Sequence, residues 1–101
     1  MEDIDRIEGI ILKNLFINEE FRKRVAPFLE SKYFENAQSK IIIKKYTEFV
    51  VKYNSYPTFE TIMIELKKDI KIGDVQVNAS LEMLDEIQKL EHEPFSKEYL
   101  E

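Results

Sequence analysis

One corner of the chain restricts its fold more than any other feature. Across Tyr53-Asn54-Ser55-Tyr56-Pro57-Thr58-Phe59-Glu60-Thr61, one long apolar-periodic segment stops and another begins with almost no loop between them. Pro57 has no backbone N–H and pushes Tyr56 out of the helical region, so a helix running through Lys52 has to end before it. Thr58 then offers a side-chain oxygen to the free N–H groups of the next turn, and Glu60 suits the positive end of that helix dipole. A capped helix–helix corner of this kind is an architectural signal and carries no chemistry of its own.

The rest of the chain is consistent with long helices. It holds only 2 glycines and 3 prolines, and 35% of its residues are charged, a balance that favours an all-α fold over many short strands. At 101 residues it is long enough for one domain with its own core. There is no cysteine, hence no disulfide framework and no thiolate nucleophile or ligand. Met1 is followed by Glu2, Asp3 and Asp5 where a signal peptide would be basic, and apolar runs such as Ile10-Ile11-Leu12 are too short to span a bilayer. These features lead us to expect a soluble cytoplasmic domain without membrane contact.

Periodicity predicts a first helix over residues 4–16, with Ile4, Ile7, Ile11 and Leu15 on its apolar face and Ile10 and Leu12 widening it. Asn18 ends this helix and caps a second, whose first turn holds Glu19 and Glu20 and whose buried side is Phe21, Val25, Phe28 and Leu29, with Pro27 distorting or ending it. Tyr33 and Phe34 follow as plugs for the core. The longest helix is expected over residues 36–53, with a stripe of Ile43, Tyr46, Val50 and Tyr53 flanked by Ile42 and Phe49. Beyond Pro57, Phe59, Ile62, Met63 and Leu66 mark a fourth helix, and residues 70–73 read as a connector. A fifth helix begins between Asp74 and Asn78 and reaches Leu90, with Leu81, Leu84, Ile87 and Leu90 inward; Pro94 closes it, and residues 96–101 read as the first turn of another.

Candidate chemistry is sparse. Gly9 and Gly73 are the only glycines, and neither begins the glycine-to-Lys-Ser/Thr spacing of a phosphate-binding loop, so no cofactor or nucleotide site is predicted. His92 is the sole histidine and stands between Glu91 and Glu93, whose side chains diverge on a helix end and do not converge on a metal. With one histidine and no cysteine, no nucleophile–base set can be assembled, and no catalytic residue is assigned. The carboxylate pairs Glu19-Glu20 and Asp85-Glu86 fall on predicted polar faces. Arg22-Lys23-Arg24 and the group Lys40, Lys44 and Lys45 form the basic patches, with no nucleic-acid motif around them, so direct nucleic-acid contact is not expected. Residues 1–73 carry a net charge of +1 and residues 74–101 a net charge of −6, making up the chain's −5, which favours a protein partner at the C-terminal end.

In order along the chain stand Glu8-Gly9-Ile10-Ile11-Leu12, Leu15-Phe16-Ile17-Asn18, Phe21, Val25, Pro27-Phe28-Leu29 and Tyr33-Phe34-Glu35. They are followed by Ile42-Ile43 in the long helix, the Tyr56-Pro57-Thr58 corner, and Ile62 with Leu66. This series resembles the N-terminal domain of DnaB-type replicative DNA helicases, most closely the version in T4-like bacteriophages. Lys13, Asn18 and Ser39 depart from it, standing where cellular members often carry glycine, aspartate and histidine. The resemblance implies a compact orthogonal bundle of about five to six helices, the globular head of the domain, with the family's helical hairpin beginning near Pro94. It also implies a collar role in a hexameric ring: assembly with other helicase subunits and docking of primase or a helicase loader, with the ATPase motor in a downstream domain. Glu82, Asp85 and Glu86 on the fifth helix are the candidate partner-facing residues. Two other readings stay open, a stand-alone phage protein that modulates a replication factor and the helicase-binding end of a primase.

Overall fold

The computed structural model describes residues 3–90, with side chains from Arg6 onward. His92, Pro94 and the turn expected at residues 96–101 lie outside the described residues, as does the side chain of Ile4. Five α-helices and two short 3₁₀ turns make up the described part, and no strand occurs within it: α1 (Asp3–Ile17), α2 (Glu19–Val25), the turns Ala26–Phe28 and Ser31–Tyr33, α3 (Ala37–Tyr53), α4 (Phe59–Lys68) and α5 (Asp74–Lys89). The protein is a small all-α bundle in which α3 and α5 pack on each other and both touch α1 and α4. None of the described helices is long and apolar enough to cross a membrane.

The helix limits follow from capping chemistry. The Asn18 side chain accepts from the Phe21 N–H at 3.0 Å, and Asn36 accepts from Gln38 and Ser39 at 2.9 and 3.1 Å to start α3. Thr58 accepts from the Thr61 N–H at 3.1 Å at the corner. α3 stops before the proline is reached: Asn54 adopts the left-handed conformation (φ 51°) and its N–H bonds the Val50 carbonyl, the ending that Asn tolerates better than most residues. Pro57 is buried behind it. Phe59, opening α4, stacks on Phe16 from the end of α1 with ring centroids 4.3 Å apart. The corner therefore fixes α4 against α1 as well as against α3.

Leu12, Leu15, Phe16, Phe21, Phe34, Ile42, Ile43, Tyr46, Ile62, Leu66, Met83, Leu84 and Ile87 form the buried core, with Ile11, Val50 and Leu81 half-buried against it. Four expected core positions are corrected. Ile7 is 56% exposed because the buried stripe of α1 is centred on Glu8, Leu12 and Leu15, at i, i+4 and i+7. Phe28 is exposed because Pro27 tightens the chain into the 3₁₀ turn Ala26–Phe28, which turns it outward while Val25, Ala26 and Leu29 pack inward. Tyr33 faces solvent at the end of the second turn, and only Phe34 plugs the core. Tyr53 is half exposed where the stripe of α3 runs past the bundle.

Three polar groups tie the helices together. The buried carboxylate of Glu8 accepts from the backbone N–H groups of Glu35 and Asn36 at 2.8 and 3.2 Å, fixing the entry to α3 against α1. Arg22 donates to the Leu15 and Phe16 carbonyls at 3.4 and 3.1 Å and lies 5.0 Å from the Tyr56 ring centroid, so it closes the C-terminus of α1 and holds the corner at once. Lys13 caps the last carbonyls of α5, those of Gln88 and Leu90.

Tyr46 is buried and donates from its hydroxyl to the Leu15 carbonyl at 2.9 Å. Burial pushes its phenol well above the ordinary value of 10.0, with the Arg22 charge opposing the shift. The folded state thus keeps a proton that the unfolded chain releases, so this contribution to stability is complete below about pH 10 and is lost as pH rises beyond it. Urea titrations at rising alkaline pH should show that loss, and Tyr46→Phe should flatten the decline at a cost of about 1 kcal/mol near neutral pH.

Gly73 supplies no side-chain cap to α5, has φ −65° and ψ 151°, and leaves open space where a Cβ would sit. Gly73→Ser is expected to stabilise the domain by about 0.5–1 kcal/mol, through a new cap and a less flexible unfolded chain, readable as a raised urea midpoint.

Candidate protein-interaction surface

α5 separates its two faces cleanly. Ser80, Met83, Leu84 and Ile87 are buried, which places Glu82, Asp85 and Glu86 on the opposite side, and all three are exposed. Val75, 82% exposed, lies on the same outward side about two and three turns before them. Asp85 pairs with Lys89 at 2.9 Å across one turn, and this hydrogen bond, followed by the charge of Asp85, raises the Lys89 pKa. Glu82 and Glu86 hold no ion pair among the described residues. The face is therefore a ridge of carboxylates with one exposed apolar side chain, anchored by a rigid inner stripe and by Lys13 at its far end. Such a ridge suits electrostatic docking of a basic partner surface.

The acidic and basic groups elsewhere are committed to local structure to different degrees. Glu19 and Glu20 face solvent and pair with Lys23 and Arg24 at 3.1 and 3.4 Å, and the Lys23 hydrogen bond holds the Glu19 carboxyl below its usual range. The three members of the run Arg22-Lys23-Arg24 thus differ: the first points inward, and the other two hold exposed ion pairs within α2. No group of three His, Asp or Glu able to hold a metal ion occurs among the described residues.

Several structural residues escape sequence patterning. Glu8 looks like any charged helix residue, and its backbone partners lie 27 and 28 residues away. Arg22 and Lys13 read as surface charge but serve as caps for other helices. The signal that does exist is an acidic residue at the centre of an apolar stripe, Glu8 four residues before Leu12. No protein-family model matches the chain, and no curated protein matches it either.

Proposed function

We propose that this chain is a non-catalytic collar domain of a ring-shaped replicative DNA helicase, serving subunit assembly and the docking of primase or a helicase loader. The observation that carries the reading is the Pro57-Thr58 corner together with what surrounds it. The corner follows the long α3, Phe59 stacks on Phe16, and Glu8 and Phe34 are buried at their distances upstream. Glu8, Phe16, Phe34 and the Pro57-Thr58 corner are among the landmarks on which the resemblance rests, and the all-α bundle is the class it requires. Within this reading the outward ridge of α5, with Glu82, Asp85 and Glu86, meets the partner.

The test is a binding titration of the purified chain against its cognate primase and loader by sedimentation. A complex at micromolar concentration is expected with one of them. The triple variant Glu82→Lys, Asp85→Lys, Glu86→Lys should weaken it by roughly tenfold or more and flatten or reverse its loss of affinity with salt. Failure of both partners to bind, or equal binding by the variant, would remove the support for a docking ridge on α5.

A further inference from the structure

The groove between α3 and the end of α4 has a second character that the acidic ridge does not share. One end is a cleft of about 490 Å³ under the connector that follows α4, and it gathers Lys44, Lys45, Lys68 and Lys71. Lys45 is taken up internally, by Asp69 and by Glu48 at 3.6 Å, and its side chain is only 14% exposed. Its single charge offsets one of the three acids that line the cleft, Glu48, Glu65 and Asp69, and the four lysines leave the lining at a net +1. Lys44, Lys68 and Lys71 have no ion-pair partner among the described residues, so three ammonium groups stand available on a cleft of net positive charge in a chain whose own net charge is −5.

The groove then continues along α3. A shallower hollow of about 140 Å³ shares Lys45, Glu48 and Glu65 with the first and adds Phe49, Lys52 and Tyr53. The Phe49 and Tyr53 rings lie 4.6 Å apart, Tyr53 is half exposed, and the Lys52 ammonium sits 5.2 Å from its ring centroid. From Lys44 to Tyr53 the helix rises about 14 Å, room for a few nucleotides. Unpaired lysines at one end and the half-exposed ring of Tyr53 at the other are the two components of a surface that tracks a phosphate backbone and stacks an unpaired base. An acidic peptide would use the lysines and leave the aromatic end unengaged.

We propose that this groove binds single-stranded nucleic acid, with Lys44, Lys68 and Lys71 on the phosphates and Tyr53, backed by Phe49, under a base. The proposal stands independently of the collar reading, since its geometry involves neither the α5 ridge nor a partner protein.

Fluorescence anisotropy of a labelled oligothymidylate titrated with the full chain at low salt tests it. Saturable binding is expected, with log K falling against log salt at a slope of about −2, the value for three phosphate contacts on a single strand. The double variant Lys44→Glu, Lys68→Glu should lose about tenfold or more in affinity, and Tyr53→Ala about fivefold or more. Lys32→Glu, outside the groove, should lose far less than Lys44→Glu alone. The substituted side chains are solvent-facing, and unchanged thermal melts confirm that the variants fold. Absence of binding, equal losses for Lys32→Glu and Lys44→Glu, full affinity in Tyr53→Ala, or equally effective displacement by poly-glutamate would each overturn the proposal.

Discussion

Ile43→Asp should abolish the folded state. Ile43 is fully buried on the inner stripe of α3, among Ile42, Tyr46 and the facing core residues. Removing its side chain alone costs about 2–5 kcal/mol, and an unpaired carboxylate in the same place adds several more unless it takes up a proton. A domain of this size is stable by only about 5–15 kcal/mol, so the two losses together consume most or all of it. Far-UV circular dichroism on heating should show no cooperative transition. A native-like cooperative melt would mean that α3 turns a different face to the core.

Glu8→Ala should be the most costly polar substitution. The carboxylate is buried and satisfies two backbone N–H groups, those of Glu35 and Asn36, at the entry to α3. Truncation removes the carboxylate that both N–H groups donate to, in a site that is poorly solvated, at about 1–3 kcal/mol each. A total loss of about 2–5 kcal/mol is expected in urea unfolding, with Glu8→Gln intermediate because its amide keeps a single acceptor oxygen. A loss below about 0.5 kcal/mol would show that these bonds contribute nothing net.

These two sites mark the limits of what the sequence discloses. Ile43 was legible because α3 repeats its apolar residues at helical spacing and carries its own cap at Asn36; the same holds for α4, with Thr58, Ile62 and Leu66, and for the inner stripe of α5. The outward placement of Glu82, Asp85 and Glu86 follows directly from that stripe. Glu8 was legible as a landmark but its role was not, because the role depends on N–H groups brought to it by the turn at residues 31–33 and by Phe34 folding inward. Phe28 departs for a related reason: a 3₁₀ turn rotates successive side chains by about 120°, so an α-helical count points it into the core when it faces water, while of the two aromatics expected to plug the core, Tyr33 ends the second such turn facing solvent and Phe34 alone folds inward. Asn54 was hidden by the stronger signal of Pro57 three residues later, although it is the left-handed Asn54 that ends α3.

The two charged surfaces differ in how far they can be read from the chain alone. The carboxylate ridge of α5 comes from one element and needs only periodicity. The lysine-rimmed groove requires α3, α4 and the following connector to be placed together, and it requires Asp69 and Glu48 to occupy Lys45. In the sequence Lys40, Lys44 and Lys45 therefore look like one uniform patch, whereas the fold gives Lys44 and Lys45 different roles.

The collar assignment is tested most directly by the encoding frame and the intact mass of the polypeptide that it yields in the cell. A collar domain predicts a frame that runs past Glu101 into an ATPase motor with a phosphate-binding loop, and a polypeptide of matching mass. A stop codon at Glu101, with a polypeptide that ends there, would contradict it.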